Sequence, residues 1–194
     1  GSGWTNDEIA RLARELDKEL TQRNLSTEIL LGESGDWEYL YKIKNDNNRS
    51  NVLSAFFTAG SSAYVGDLEH VKKRICGHSY WTDGTWDDMR NVRAQVAQAA
   101  QKQDIDVWQS EWSMLGDGYS SSEFAGYDAA TKMDIALYMS KVIHNDLTVA
   151  GVSSWSYWTS MDMPRWGHKN RFLLIALTPV GGVEGDVEQE GSYQ

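Results

Sequence analysis

The chain has 194 residues with 41% hydrophobic and 24% charged residues, which is typical of one folded domain with a core and excludes a disordered chain. Its net charge of −10 argues against nucleic acid or an anionic membrane surface as the main partner. The sequence has no apolar run of about 18 residues, so we expect no membrane span, and the single Cys76 excludes an intrachain disulfide.

Helices and strands are predicted to alternate along the chain. The first helix, Asn6–Arg23, is indicated by a capping box of Thr5 and Glu8 and by an apolar stripe at helical spacing. The later predicted elements are strand Thr27–Leu31, helix Ser50–Ala59, strand Ile75–Tyr80, helix Thr85–Lys102, strand Asp104–Glu111, helix Gly126–His144, strand Thr148–Trp155 and an extra strand Phe172–Leu177. This alternation predicts one curved parallel sheet with helices on its outer face.

Carboxylates and aromatic residues gather at the C-terminal ends of these predicted strands. The most informative stretch places Glu111 between Trp108 and Trp112, and catalytic groups of parallel α/β proteins lie at such strand ends. The chain has nine Trp but only four Phe. Flat indole rings stack on sugar rings, so this excess favours a carbohydrate-binding surface over ordinary core packing.

Other classes of site are weaker interpretations. The sequence has no Gly-rich phosphate loop, so a nucleotide fold is not expected. We expect no metal and no cofactor, because the four histidines lack ligand spacing: His70, His78, His144 and His168. Ser110 is expected to point away from Glu111, because side chains alternate along a strand. A non-catalytic carbohydrate-binding or structural fragment remains the alternative, although binding modules are mostly β-sandwiches.

Read in order, the four strand ends resemble the second half of the catalytic barrel of glycoside hydrolase family 30. The matching stretches, for barrel strands five to eight, are Thr27–Glu33, Gly77–Trp81, Gln109–Ser113 and Gly151–Trp158. The resemblance implies an α/β fold, a (β/α)8 TIM barrel. A barrel of this type needs about 250 residues, so residues 1–194 are expected to form a partial catalytic domain of four βα units with no linker. The remainder of the barrel is the expected partner.

The resemblance also implies a retaining glycosidase mechanism with Glu111 as the nucleophile. The acid/base residue of the family is a Glu that follows Asn at the end of the fourth strand, and this chain contains no Asn-Glu pair. We therefore expect the acid/base outside the chain and expect the chain alone to be inactive. Glu33 is interpreted as a substrate or supporting ligand. The residues expected to contact substrate are Glu33, Trp37, His78, Tyr80, Trp81, Trp155 and Trp158.

The expected substrate is a β-linked polysaccharide, because several Trp residues suit stacking against several sugar units. Among the groups of the resembled family, the last two strands look most like the β-1,6-galactanases. Members of the family are usually secreted, so the resemblance implies a secreted or periplasmic protein.

Overall fold

A computed structural model describes residues 3–114, 131–162, 174–180 and 184–189. The helices are α1 (Asn6–Gln22), α2 (Glu38–Tyr41), α3 (Val52–Phe57), α4 (Trp86–Gln103) and α5 (Lys132–Asn145). The strands are β1 (Ile29–Ser34), β2 (Val71–His78), β3 (Asp106–Trp112), β4 (Ser154–Tyr157), β5 (Met161–Asp162), β6 (Ile175–Val180) and β7 (Glu184–Gln189). A short 3₁₀ turn spans Asn47–Arg49, and a π turn spans Asp146–Ala150.

The first four strands form one parallel sheet in the order β1-β2-β3-β4, which confirms the predicted parallel sheet. The last three strands form a second, small sheet in which β6 lies parallel to β5 and antiparallel to β7. The extra strand predicted at Phe172–Leu177 corresponds in part to β6, and its first two residues lie outside the described part of the chain.

Helix starts follow the sequence signals closely. Thr5 caps α1 in the expected capping box with Glu8, and the Thr85 side chain accepts a hydrogen bond from the backbone of Asp88 at the start of α4. Thr131 forms a second capping box at the start of α5. These short polar side chains satisfy backbone N–H groups that have no partner within the helix. The helix predicted at Gly126–His144 is wrong at its start, since Thr131 is an extended cap and α5 begins at Lys132. Residues 126–130 lie outside the described part of the chain.

The starts of two strands differ from the prediction by four residues or more. Strand β2 begins at Val71, four residues before the predicted Ile75, because pairing with β1 already starts there. The predicted strand Thr148–Trp155 is wrong at its start, since the π turn Asp146–Ala150 continues the helical backbone. Gly151 ends that turn with a positive φ of 70°, a conformation that glycine adopts without steric cost. Strand pairing with β3 begins only at Ser154.

The core lies between the parallel sheet and its helices. Alternate strand residues such as Ile75 and Val107 pack there against Val96 of α4. A second apolar cluster, containing Met89, Trp112 and Tyr138, lies where β2 and β3 end. Leu30 sits between two buried neighbours of β1 and is 42% exposed, so β1 presents alternate side chains on a face not covered by helices. Among the described helices, none combines the length and the apolar character needed to cross a bilayer.

Candidate active site

The C-terminal ends of β2 and β3 bring Glu111 beside two hydrogen-bonding side chains. The parallel register places His78 opposite Glu111. The Tyr80 hydroxyl donates to Glu111 Oε1 at 3.0 Å, and His78 Nε2 lies 3.7 Å from Glu111 Oε2. The Glu111 side chain remains 33% exposed. The carboxylate is therefore oriented by a neighbouring donor and is still accessible to a ligand.

Tyr80 is suited to remain a neutral donor. Burial raises the pKa of its hydroxyl, and the negative charge of Glu111 raises it further. Its ring packs edge-on against the His78 ring, with 5.7 Å between the centroids. The proton of the hydroxyl therefore stays on Tyr80, and the hydrogen bond runs from Tyr80 to Glu111.

The end of β1 adds a second carboxylate, Glu33. Gly32 has a φ of 124°, and a Cβ atom there would lie 1.9 Å from the Cys76 carbonyl oxygen, so only glycine allows this approach to β2. Glu33 follows with a φ of 62°, an uncommon value for a residue with a side chain. This bend brings Glu33 Oε2 to 2.8 Å from His78 Nε2.

Glu33 is held as an anion by two donors. His78 donates from Nε2, and the Cys76 thiol donates to Glu33 Oε1 at 2.9 Å. The hydrogen bond from His78, supported by the one from Cys76, lowers the pKa of Glu33 to about 2 against the effect of burial. Burial, together with the Glu33 charge, raises the pKa of the Cys76 thiol to about 12. The thiol therefore stays protonated and serves as a donor.

Cys76 is a site residue that the sequence reasoning missed. It lies two residues before His78, and strand alternation places both side chains on the same face of β2. That spacing was the available signal. The spacing does not reveal the acceptor, because Glu33 comes from a neighbouring strand.

One nitrogen, His78 Nε2, connects the two carboxylates. It lies 2.8 Å from Glu33 Oε2 and 3.7 Å from Glu111 Oε2. These two oxygens can be no farther apart than the sum of those distances. Glu33, His78, Tyr80 and Glu111 therefore lie together at one strand-end face of the sheet.

Trp81 and Trp158 also lie near this face. Trp81 is 63% exposed, its ring is tilted against Tyr80, and its backbone has a φ of 55°. Trp158 is half-buried, and its backbone N–H donates to the carbonyl of Trp112, the residue after Glu111. An exposed indole beside the carboxylates suits stacking on a sugar ring.

Two other tryptophans do not lie where they were predicted. Trp37 was expected at the rim of the site, but it is fully buried, and its indole donates to the Gly77 carbonyl at 3.0 Å. Trp155 was expected beside Glu111, but its indole donates to Asp146 at 2.8 Å on the helix-covered side of the sheet. An indole N–H that is removed from water needs an acceptor, and in both cases that acceptor lies inside the fold.

A cavity of about 980 Å³ runs beside β1. Glu33, Tyr39 and Trp81 line one part of it, and apolar side chains of α1 and β1, including Leu12 and Leu30, line another. Glu111 does not belong to its lining. The cavity is therefore mainly a groove along the uncovered edge of β1, and only its end reaches the candidate site.

The described residues contain no group of three or more His, Cys, Asp or Glu side chains that could hold a metal ion. His70, one of the four histidines, instead pairs with Asp17 at 2.9 Å. His168 and Trp166 lie outside the described part of the chain.

Comparison with known proteins places these observations in a family. Residues 1–168 match the sequence model of O-glycosyl hydrolase family 30. No curated protein sequence matches the chain. The structure is similar to a conserved exported protein from Bacteroides fragilis, with 23% sequence identity and a TM-score of 0.81 over 98% of this chain. The chain spans 39% of the length of that protein, and at this identity the likeness shows a shared fold only.

Proposed function

Because the chain belongs to O-glycosyl hydrolase family 30, which indicates glycoside hydrolase chemistry, we propose that it carries the nucleophile of a retaining glycosidase. The proposed nucleophile is Glu111. The observation that carries this proposal is the Glu111 carboxylate at the end of β3, one-third exposed, with Tyr80 Oη donating to its Oε1 at 3.0 Å.

The chemistry follows from that arrangement. In a retaining mechanism the nucleophilic carboxylate attacks the anomeric carbon and forms a glycosyl ester, while the glycosidic bond breaks and the acid/base residue protonates the leaving oxygen. The same residue then takes a proton from water, which hydrolyses the ester. The hydrogen bond from Tyr80 orients one oxygen of Glu111 and leaves the other oxygen, on the His78 side, for the attack. When the ester is hydrolysed, the same donor stabilises the carboxylate that is released.

Glu33 is poorly suited to be the acid/base partner, although it shares His78 with Glu111. A general acid must be protonated at the working pH, and the donors around Glu33 lower its pKa to about 2. We propose that the acid/base carboxyl lies outside this chain and that Glu33 is a permanent anion that orients His78 and accepts sugar hydroxyl hydrogens. On this proposal, residues 1–194 alone do not catalyse hydrolysis.

The proposed architecture is the second half of a (β/α)8 barrel, with residues 1–194 as a partial catalytic domain. Four parallel strands backed by helices support it. Within the described sheet, β1 pairs only with β2, which leaves its other edge for a further strand. Exposed apolar side chains follow that edge, including Trp4, Leu12, Leu16 and Leu30. We propose that the remainder of the barrel covers this surface.

The proposed substrate is a β-linked polysaccharide, with β-1,6-galactan as the specific candidate. The exposed Trp81 ring beside Tyr80 supports a sugar-stacking surface next to the nucleophile. The other proposed contacts are Glu33, His78, Tyr80 and Trp158. A secreted or periplasmic location is proposed as well, which agrees with the exported character of the similar Bacteroides fragilis protein.

Covalent labelling tests the nucleophile. The full-length protein is incubated with a 2-deoxy-2-fluoro-β-galactoside that carries an activated leaving group, and the labelled peptide is located by mass spectrometry. We expect the adduct on Glu111 and none in a Glu111→Gln variant. An adduct on Glu33 would overturn the assignment. Binding of β-1,6-galactan without turnover or label would instead support the non-catalytic alternative.

A further inference from the structure

A buried ion pair lies behind the strand ends that carry the candidate site. Arg93, in the middle of α4, and Asp146, directly after α5, are both fully buried. Arg93 Nε donates to Asp146 Oδ1 at 2.6 Å. Two charges removed from water are costly unless each is paired and its remaining polar atoms are bonded. The other bonds of this pair therefore indicate what it holds in place.

Asp146 belongs to a hydrogen-bonded network that connects three neighbouring strands. Its Oδ2 accepts the indole N–H of Trp155 at 2.8 Å and the Ser79 hydroxyl at 3.4 Å. Gln109 donates to the same Ser79 hydroxyl at 3.3 Å and accepts the backbone N–H of Ser156 at 3.0 Å. The C-terminal ends of β2, β3 and β4 are thus joined by one buried hydrogen-bonded network on the helix side of the sheet.

Arg93 holds the loop from Ser79 to Asp83, which connects β2 to α4. Its Nη1 donates to the Thr82 carbonyl at 2.9 Å, and the Thr82 hydroxyl donates to the Ser79 carbonyl at 2.7 Å. The Tyr138 hydroxyl of α5 donates to the Asp83 carbonyl. The loop is therefore bonded at Ser79, before Tyr80 and Trp81, and at Thr82 and Asp83, after them.

Tyr80 and Trp81 lie between these bonded positions. Tyr80 donates to Glu111, and Trp81 has a left-handed φ of 55°. Such a backbone conformation is strained for a residue with a side chain, and it persists only where the surroundings hold it. The bonds at Ser79 and Thr82 flank this strained position directly.

We propose that Arg93 and Asp146 are positioning residues of the glycosidase site: the pair holds the Ser79–Asp83 loop so that the Tyr80 hydroxyl stays on Glu111. This inference rests on the proposed function. Neither residue touches the substrate, since both are fully buried, and each acts through Tyr80.

An Arg93→Lys substitution in the full-length protein tests the proposal. Lys keeps the positive charge for Asp146 but lacks the forked guanidinium that also reaches the Thr82 carbonyl. The variant is made in the wild-type and in the Tyr80→Phe background. For each protein, kcat and KM are measured with an aryl β-glycoside. The concentration of active sites is determined by fluorosugar labelling, so that kcat is expressed per active site. We expect kcat to fall about 10-fold in the wild-type background, with KM changed less than about 3-fold.

The Tyr80→Phe background separates positioning from general destabilisation. If Arg93 acts through the Tyr80 hydroxyl, Arg93→Lys changes kcat by less than about 2-fold once that hydroxyl is gone. The matched control is Arg90→Lys, on the same helix but exposed against the Trp86 ring, which is expected to leave kcat unchanged.

The result that would contradict the positioning role differs from the result that would contradict the proposed function. An equal loss of kcat in both backgrounds, or no loss in either, would overturn the positioning role. If Arg93→Lys does not fold, Thr82→Val carries the test. It removes the bonds of the Thr82 hydroxyl to Ser79 and Arg93, but it keeps the Arg93–Asp146 ion pair and the bond from Arg93 to the Thr82 carbonyl. The same non-additivity with Tyr80→Phe is expected. A wild-type protein that cleaves no β-glycoside would overturn the proposed function itself, and this inference with it.

Discussion

Two carboxylates near the same strand ends, Glu33 and Asp146, are held in opposite ways. Glu33 lies at the end of β1, its side chain is 58% exposed, and donation from His78 and Cys76 lowers its pKa to about 2. Asp146 lies under the helices and is fully buried. Burial raises the pKa of Asp146, and the guanidinium of Arg93 opposes that shift.

The difference shows that surroundings, and not residue type, separate a carboxylate available to a ligand from a structural one. Glu33 keeps contact with solvent while its charge is maintained by neighbours, so it can still accept hydrogen bonds from a sugar. The bonds of Asp146 are all made to other parts of the fold, and breaking any of them leaves a buried group without its partner. Substitutions on the exposed side of the sheet should therefore affect activity, and substitutions on the helix side should affect the free energy of unfolding.

The largest expected effect is on activity, at Glu111 on the exposed side. Glu111→Gln in the full-length protein should lower kcat by at least about 10³-fold, because Gln keeps the shape of Glu but cannot form the glycosyl ester. The free energy of unfolding should change by less than about 1 kcal/mol. Steady-state kinetics and urea unfolding measure the two quantities.

A matched control for Glu111→Gln is Glu15→Gln, which removes the same charge from the exposed surface of α1. It should leave both kcat and the free energy of unfolding unchanged. Retention of more than a tenth of the wild-type kcat by Glu111→Gln would contradict the nucleophile assignment.

The second effect is on stability and compares the two carboxylates directly. Asp146→Ala should lower the free energy of unfolding by about 3–5 kcal/mol, because it leaves the Arg93 charge buried without its partner. Glu33→Ala should cost less than about 1 kcal/mol, because its bonds are made at a solvent-exposed end of the sheet. Urea unfolding at neutral pH measures both. The reverse order of the two losses would show that the comparison is wrong.

The smallest expected effect is a pH dependence at Glu33. Its pKa is about 2 in the folded protein, below the ordinary value of 4.5. The ionised form therefore contributes stability that is fully present above pH 4.5 and is lost as the pH falls toward 2. The difference in unfolding free energy between the wild type and Glu33→Gln should shrink across that interval and stay constant above it.

Unfolding curves of the wild type and of Glu33→Gln at pH 6, 4 and 3 measure this effect. A wild-type advantage that grows as the pH falls would mean that the pKa of Glu33 is raised in the fold, and Glu33 would then become a candidate for the acid/base.

The sequence alone determined those features that depend on local patterns. Thr5 and Thr85 mark the starts of α1 and α4, and strand–helix alternation predicts the parallel sheet, because caps and side-chain periodicity act within a few residues. The strand-end position of Glu111 was predicted in the same way, and its neighbours His78 and Tyr80 follow from parallel strands ending at one edge.

Only the tertiary structure decided which similar residues face the site and which face the core. Trp37 and Trp155 looked like rim residues, but one lies beneath β2 against the Gly77 carbonyl and the other donates to Asp146 among the helices. Cys76 became a donor to Glu33 only because Gly32 lets β1 approach β2 closely. These outcomes depend on contacts between residues far apart in the chain, and hydrogen-bond partners of that kind leave no periodic trace in the sequence.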